Sequence, residues 1–309
     1  MKTLPDGIIV PLPTPLLNFD KIDLDGLNNL IEFLIREGVS GISVLGHTGE
    51  ERCLDYVTRK KMISETCRIV DGRVPVFVSI SDTSFNESYV LAGFANDCGA
   101  AAMVFSPPYY LSTGQAELIE FYDELLKAIC LPIILYNIES ATNVKIEPST
   151  ILELKKNKKI VGLKDSSADI IYLKRVADMV KEENQDFKLY FGKEELLFET
   201  MMLGGNGGFA GGANLFPKLY IKLYDAIKQG DFATYKALQA ILMDVNTTIF
   251  SIGHYHSSYL KGIKCALNIM GIINDDYLAP PFHKFNEPER VRIKEGINHI
   301  KEKLSVYGI

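Results

Sequence analysis

The chain has 309 residues, with 33 Lys and Arg against 39 Asp and Glu, so its formal net charge is −6, and 47% of its residues are hydrophobic. The acidic balance argues against nucleic-acid binding, which needs a basic face, and no apolar run reaches the roughly 18 residues of a membrane span. Five scattered cysteines without a C-x-x-C pair argue against a disulfide scaffold and a zinc knuckle. Since the N-terminus also lacks an apolar signal core, we expect a cytoplasmic protein.

Short apolar segments alternate with longer amphipathic segments along most of the chain. The short ones are apolar on both faces and are bounded by Gly, Pro or polar residues, which is typical of parallel strands buried on both sides. The predicted strands are 7–12, 41–45, 74–79, 100–105, 132–136, 160–164, 187–191 and 207–210.

The longer segments have the apolar spacing of helices with one buried face. Leu27, Leu30, Ile31 and Leu34 show this spacing in the first of them. The predicted helices are 23–37, 58–70, 84–96, 115–129, 169–181 and 193–202, followed after Pro217 by 218–229, 232–250, 258–270 and 288–304.

The chain has eight predicted strands in alternation with helices. This number predicts an α/β fold of the (β/α)8 barrel type, also called a TIM barrel. The alternative is a doubly wound open sheet. Because the strand pattern stops after Pro217, we predict a catalytic barrel domain over residues 1–229 and a C-terminal helical extension over residues 230–309, packed on the barrel.

The sixth predicted strand ends in a lysine. Alternation places Lys164 and Gly162 on one side of the strand and Val161 on the other. Reactive groups of such barrels lie at the C-terminal ends of the strands, so we expect Lys164 to point into the barrel mouth, above space left by Gly162. A desolvated lysine has a lowered pKa and becomes a nucleophile towards a carbonyl group. The alternative is a lysine that extends into solvent.

The fifth predicted strand ends in a tyrosine, next to the strand that carries Lys164. The phenol of Tyr136 could move a proton between the substrate and the amine during Schiff-base chemistry. The alternative is an amphipathic core tyrosine with a solvated hydroxyl. Two proton-active groups at neighbouring strand ends favour the catalytic interpretation.

Two glycine-rich segments also follow predicted strands. Gly46-His47-Thr48-Gly49-Glu50 would let backbone N–H groups approach a small anion, or it is a plain turn. The segment 204–212 lies near the last strand, where many barrels bind phosphate. It lacks the sequence context of a nucleotide-binding loop, so nucleotide binding is not expected.

A metal cofactor is not expected either. The histidines of His254-Tyr255-His256 are two residues apart, so they do not face one way on a helix, and no carboxylate cluster accompanies them. A surface or subunit-contact role suits them better. His47 is the only histidine at a predicted strand end, so the ligand set of a metal-dependent aldolase is missing.

The motifs, in their order along the chain, resemble the dihydrodipicolinate synthase / N-acetylneuraminate lyase family over residues 7–281. They are Gly46-His47-Thr48-Gly49-Glu50, Tyr136-Asn137, Gly162-Leu163-Lys164-Asp165 and the glycine-rich segment ending at Asn214. The resemblance implies a (β/α)8 barrel with C-terminal helices, Schiff-base chemistry next to a pyruvate-type keto acid without a metal, and a homo-oligomer, usually a tetramer.

By position, the resemblance implies that Lys164 forms the Schiff base and that Tyr136 transfers the proton. Thr48 and the backbone around Gly46 and His47 would hold the keto-acid carboxylate. Tyr110 would reach into a neighbouring subunit's site.

Other positions match residues that line the pocket. Phe209 would do so through its backbone carbonyl. Gly192-Lys193-Glu194-Glu195 resembles the Gly-x-Asp-Glu that sialic-acid lyases use on substrate hydroxyls, and Ser166 matches a hydroxyl position there. Ionised carboxylates suit hydroxyl donors because their oxygens only accept.

Three departures bear on the substrate. The synthases have Thr where this chain has His47, so their hydroxyl relay would miss a member. They also have an Arg that binds the aldehyde's carboxylate at the place of Ala141, and losing a bidentate clamp is not conservative. Gly211 replaces a serine of the sialic-acid lyases.

We therefore expect a class I lyase that cleaves or forms a C–C bond next to a pyruvate unit, on a 2-keto-3-deoxy sugar acid or a sialic-acid-like substrate. His47 would add a proton-active group or contact a substrate hydroxyl. The alternatives are a 4-hydroxy-tetrahydrodipicolinate synthase, a Schiff-base dehydratase of a deoxy-keto sugar acid, and a keto-acid-binding regulator without turnover.

Overall fold

Parallel strands that close into a barrel form the centre of the fold. The structure, a computed structural model, describes residues 4–181 and 187–309. Within these ranges the strands are β1 (Gly7–Pro11), β2 (Leu16–Asn18), β3 (Lys21–Ile22), β4 (Gly41–Val44), β5 (Val76–Ser79), β6 (Ala102–Phe105), β7 (Ile133–Asn137), β8 (Ile160–Asp165), β9 (Lys188–Phe191) and β10 (Gly207–Phe209). The closed barrel has the order β1-β10-β9-β8-β7-β6-β5-β4, which confirms the predicted fold class.

Helices follow the barrel strands. They are α1 (Leu24–Arg36), α2 (Tyr56–Val70), α3 (Phe85–Asp97), α4 (Gln115–Ala128), α5 (Glu139–Thr142), α6 (Pro148–Leu154), α7 (Ile170–Lys181), α8 (Leu197–Met202), α9 (Pro217–Gln229), α10 (Phe232–Val245), α11 (Ser258–Ile269) and α12 (Glu287–Ser305). None of the helices in the described ranges is both long enough and apolar enough to cross a membrane.

Side-chain caps explain where several helices begin. Asp23 accepts a hydrogen bond from the backbone N–H of Gly26 at the start of α1, and Asp55 accepts one from Thr58 at the start of α2. These oxygens satisfy N–H groups that have no partner inside the helix. The predicted apolar face of α1 is buried, as the spacing of its leucines and isoleucine indicated.

The sequence pattern did not predict the shortest helices and strands. α5 and α6 span 4 and 7 residues, too few for a helical period to emerge. The small antiparallel ribbon of β2 and β3 was not predicted either. The predicted helix 232–250 consists of α10 followed by a wider π-helical turn over Asn246–Phe250.

An irregular register in β8 overturns one expectation about side-chain direction. Ile133 pairs with Ile160, but the next residue, Ile134, pairs with Gly162. Val161 therefore has no pairing partner in β7 and is an extra residue of β8, as in a β-bulge. As a result, Val161 packs against the same buried cluster as Tyr136, whereas simple alternation placed it on the opposite side.

Gly162 also has a different function from the expected one. A Cβ atom built there would lie 2.6 Å from the carbonyl oxygen of Lys188. The glycine therefore permits the close approach of β9 to β8, and the expected space beneath Lys164 is not its role.

The described chain divides into two compact units. One comprises the described part of Met1–Ile9 with Ser40–Ser43 and Pro75–Phe209; the other comprises Val10–Val39, Val44–Val74 and Ala210–Ile309. The division into domains 1–229 and 230–309 stays a prediction. The expectation about a signal segment concerns in part residues 1–3, which lie outside the described residues.

Candidate active site

Lys164 lies near the end of β8 and is buried, with 5% of its surface exposed. Its backbone pairs with Tyr136 of β7 on one side and with Tyr190 of β9 on the other. Lysine is rarely buried unless a partner or a function holds it there. The alternative of a lysine extended into solvent is therefore wrong for this residue.

Two aromatic rings surround the amine. The Nζ atom of Lys164 lies 3.9 Å from the centroid of the Tyr136 ring and 4.6 Å from that of the Phe209 ring. The negative faces of aromatic rings attract a cation at such distances. The two rings thus pack beside the buried amine of Lys164.

A short hydroxyl chain leads away from this lysine. Ser166 Oγ donates a hydrogen bond of 3.3 Å to the Tyr136 hydroxyl, and both side chains are buried. A phenol oxygen that accepts a hydrogen bond still has its own proton to give. The Tyr136 hydroxyl can therefore donate a proton and take it back.

A glycine makes room for both side chains. A Cβ on Gly192 would lie 2.0 Å from Ser166 Oγ and 3.2 Å from Lys164 Cε. The N–H of Gly192 also donates to the carbonyl oxygen of Asp165 over 2.6 Å. The turn after β9 is therefore packed directly against the end of β8 that carries Lys164.

Asp165, the residue after the lysine, fixes the ends of β7 and β8. Its Oδ1 accepts from Asn137 Nδ2 at 2.8 Å, and its Oδ2 accepts from Ser167 Oγ at 3.0 Å. Asn137 in turn accepts from the N–H of Ile146. Burial raises the pKa of the Asp165 carboxyl, against the opposing effect of the two side-chain hydrogen bonds. This carboxylate therefore has a structural part in the site.

Residues matched to substrate hydroxyls lie after β9. Glu194 is buried, with 7% exposure, at the start of a single 3-10 turn, and Glu195 beside it is half-buried. Ala141 of α5 packs against the buried cluster that contains Tyr136. The position that the family resemblance matches to a guanidinium is therefore apolar here.

The second unit contains the Gly46-His47-Thr48 segment. Thr48 is buried, and its Oγ1 shares a hydrogen bond of 3.2 Å with the hydroxyl of Tyr259. The side chain of His47 is exposed. Leu45, just before the segment, has a φ of 60°, a costly conformation for a bulky residue that persists only where the surroundings enforce it.

Glu50 fixes the end of this segment. It has a φ of 57°, accepts a hydrogen bond of 2.8 Å from the N–H of Ala279, and forms a buried ion pair with Lys264 of α11. Burial lowers the pKa of Lys264, and the charge of Glu50 opposes that shift. The hydroxyl of Thr14 adds a hydrogen bond to the carbonyl oxygen of Gly49 at 2.6 Å.

Tyr110 lies outside the buried cluster around Lys164. It is 88% exposed and has a φ of 82°, and the neighbouring Leu111 is 73% exposed. A strained tyrosine directed into solvent beside an exposed leucine is typical of a surface that meets another molecule.

Two features of these sites were missed by the sequence analysis. The ring of Phe209 faces Lys164, in addition to the backbone carbonyl that the resemblance implied. Tyr259 was read only as part of a helical tail, and no pattern in the sequence marked it. The one signal in the sequence was Gly211, which contacts Tyr259 in the structure and replaces a serine of the sialic-acid lyases.

We searched residues 4–181 and 187–309 for side chains that could bind a metal ion. No group of three or more His, Cys, Asp or Glu side chains there is placed to hold a metal ion.

Comparison with known proteins adds the following. Residues 4–300 match the model of the dihydrodipicolinate synthetase family. A solved structure of a dihydrodipicolinate synthase from Bacteroides thetaiotaomicron is 48% identical, with a TM-score of 0.93, over 97% of this chain and 100% of that one. The probable 2-dehydro-3-deoxy-D-pentonate aldolase YjhH of Escherichia coli (strain K12) is 30% identical over 93% of this chain and 94% of its own.

A third comparison includes a ligand. The crystal structure of YagE, a prophage protein of the dihydrodipicolinic acid synthase family from E. coli K12 in complex with pyruvate, is 27% identical. It covers 96% of this chain and 98% of that one, with a TM-score of 0.90.

Proposed function

Because the chain belongs to the dihydrodipicolinate synthetase family and is a pyruvate-dependent lyase of the class I aldolase type, we propose that Lys164 forms a Schiff base with the keto group of its substrate. The observation that carries this proposal is the buried Nζ of Lys164, held 3.9 Å from the centroid of the Tyr136 ring.

The proposed reaction uses this amine and the neighbouring phenol. The neutral amine of Lys164 attacks the C2 carbonyl of a keto acid, and loss of water leaves an iminium group that withdraws electrons. Tyr136 protonates the departing hydroxyl of the carbinolamine, and its phenolate then takes the proton of the C4 hydroxyl while the C3–C4 bond breaks, which releases an aldehyde. Tyr136 returns that proton to C3 of the enamine, and water then hydrolyses the iminium to free pyruvate and the amine, with the proton released going back to the phenolate.

The substrate that suits the site is a 2-keto-3-deoxy sugar acid or a sialic-acid-like acid. Buried Glu194, half-buried Glu195 and the Ser166 hydroxyl can bind the hydroxyl groups of such a chain. Ala141 offers no charge to a second carboxylate. The related YjhH is named for a 2-dehydro-3-deoxy acid.

A second candidate is 4-hydroxy-tetrahydrodipicolinate synthesis, favoured by the 48% identity to a chain described as a dihydrodipicolinate synthase. The apolar Ala141 speaks against it, because a buried carboxylate needs a cationic partner. A dehydratase of a deoxy-keto sugar acid would begin with the same Schiff base and differ only in its product.

Several further parts of the proposal rest on the family resemblance. We assign the keto-acid carboxylate to Thr48 and to the backbone around Gly46 and His47. We assign Tyr110 to contact with another subunit, so that the enzyme works as a homo-oligomer, a tetramer or dimer. We place it in the cytoplasm, with a keto acid and an aldehyde as its small-molecule partners and no metal cofactor.

Borohydride reduction in the presence of pyruvate tests the chemistry. The expected result is a pyruvyl adduct found on the peptide of Lys164 and not on that of Lys264, a second buried lysine. The variant Lys164→Met should give no adduct. An unmodified Lys164 in the wild-type protein would refute the proposal.

The substrate is tested separately with a panel of 2-keto-3-deoxy acids. Release of pyruvate and aldehyde supports the lyase, release of a dehydrated keto acid identifies the dehydratase, and consumption of pyruvate with the aldehyde of the synthases identifies the synthase.

A further inference from the structure

Tyr259, in the first turn of α11, occupies a position that no motif of the sequence marks. Its ring packs edge-on against Phe250, with centroids 5.0 Å apart. Its hydroxyl shares the 3.2 Å hydrogen bond with Thr48 Oγ1. The phenol therefore reaches the segment to which the proposed function assigns the keto-acid carboxylate.

Gly211 shows that the chain is built around this phenol. A Cβ on Gly211 would lie 1.6 Å from the Tyr259 hydroxyl oxygen. The backbone of Gly211 has φ −72° and ψ −35°, which any L-residue adopts readily. Glycine is thus required here by the space that the phenol fills and by nothing in the backbone.

The same helix is held to the same segment a second time. Lys264, five residues beyond Tyr259, forms the buried ion pair with Glu50 and also donates to the carbonyl oxygen of Tyr277. α11 thus contacts the segment at Thr48 and at Glu50. This double attachment fixes where the phenol oxygen lies relative to the threonine hydroxyl.

We propose that Tyr259 is a positioning residue for carboxylate binding, which rests on the proposed function of Thr48. A phenol is a stronger hydrogen-bond donor than an aliphatic alcohol because it is more acidic. Tyr259 therefore donates to Thr48 Oγ1, and the threonine keeps its own proton to donate to the substrate carboxylate. Without the phenol, the threonine hydroxyl can rotate and donate elsewhere.

The variant Tyr259→Phe tests this because it keeps the ring against Phe250 and removes only the hydroxyl. The readout is the pyruvate concentration that half-saturates borohydride trapping at Lys164. We expect that concentration to rise about tenfold, near the upper worth of one hydrogen bond, with the adduct still on Lys164. Methyl pyruvate, whose ester replaces the anionic carboxylate, should lose no affinity.

Two further measurements separate positioning from structural support. In Thr48→Val the affinity for pyruvate should fall at least as far, and the double variant should match Thr48→Val alone because the two hydroxyls act as one unit. Tyr122→Phe is the matched control. It also removes a buried phenol hydroxyl, one that donates to the carbonyl of Phe105 at 2.9 Å, and it should leave trapping unchanged.

The outcomes are distinct. Unchanged pyruvate affinity in Tyr259→Phe, an equal loss for methyl pyruvate, or losses that multiply in the double variant would each overturn the assignment. An absent adduct in the wild-type protein would instead overturn the proposed function itself.

Discussion

The Cε atom of Lys164 lies 3.2 Å from the position that a Cβ on Gly192 would occupy. A methyl group at residue 192 would also lie 2.0 Å from Ser166 Oγ and 3.0 Å from the carbonyl oxygen of Asp165. The backbone oxygen cannot move away as a side chain can. The turn after β9 therefore sets the position of the lysine.

The variant Gly192→Ala should consequently displace the amine. We expect the rate of pyruvyl adduct formation to fall about 100-fold, because misplacement of a reacting group by about 1 Å has an effect of that size. This rate is measured by adding borohydride at a series of times after mixing with pyruvate and determining the amount of adduct at each time. Gly93→Ala is the matched control, since nothing lies within 4 Å of a Cβ at that glycine; an equal rate in both variants would contradict the steric argument.

Tyr136→Phe should retain the ring beside Lys164 and lose the proton carrier. We expect kcat for cleavage to fall about 10²- to 10⁴-fold, the range of general acid–base catalysis, while pyruvate still forms an adduct. The measurement is pyruvate release in parallel with adduct mass. Undiminished turnover would show that another group transfers the proton.

The buried pair of Glu50 and Lys264 gives a prediction about stability. Lys264→Met leaves the carboxylate buried without its counter-charge, so the free energy of unfolding should fall by about 3–5 kcal/mol. Adding Glu50→Gln should recover a large part of this loss, because the amide can still accept from the N–H of Ala279. Denaturant unfolding measures both.

A surface pair is the control for that series. Lys127 and Glu124 form an exposed i,i+3 pair, and Lys127→Met should leave the free energy of unfolding nearly unchanged because exposed ion pairs contribute little. Equal losses of unfolding free energy in Lys264→Met and Lys127→Met would show that burial of the Glu50–Lys264 pair does not determine its effect on stability.

Asp165 should make stability depend on pH. Its pKa is raised in the folded protein by burial, so the folded state binds this proton more tightly than the unfolded state does. The resulting contribution to stability is complete below the unfolded pKa of about 3.9 and is lost as the pH rises through the folded pKa. Asp165→Asn has no such titration, so its stability relative to wild type should increase from pH 4 upward.

Thermal unfolding at a series of pH values measures this difference. Asp178→Asn, which removes the carboxylate of an exposed aspartate of α7, is the control for the substitution itself. A wild-type minus Asp165→Asn difference that does not vary with pH would rule out the carboxyl as its source.

The strands of the barrel could be predicted because each is a short run that is apolar on both faces, and that composition follows from burial between the barrel interior and the helices. Lys164 and Tyr136 could be predicted as neighbours for a related reason. Consecutive parallel strands pair, and a polar residue at the end of each then lies at the same edge.

Other features could not be read from local pattern. The extra residue at Val161 depends on the register between two strands, which no single strand encodes. α6 is too short to show a period. Tyr259 lies 48 positions after Gly211 in the sequence, and nothing near either residue predicts their contact.

The sequence by itself determined the barrel, the order of its elements and the place of Lys164 at a strand end beside Tyr136, since these depend on short-range periodicity and on the pairing of successive strands. Only the tertiary structure decided how those groups are surrounded. The ring of Phe209 beside the amine, the close turn at Gly192 and the phenol above Gly211 each depend on contacts between distant segments, and packing in three dimensions alone brings such segments together.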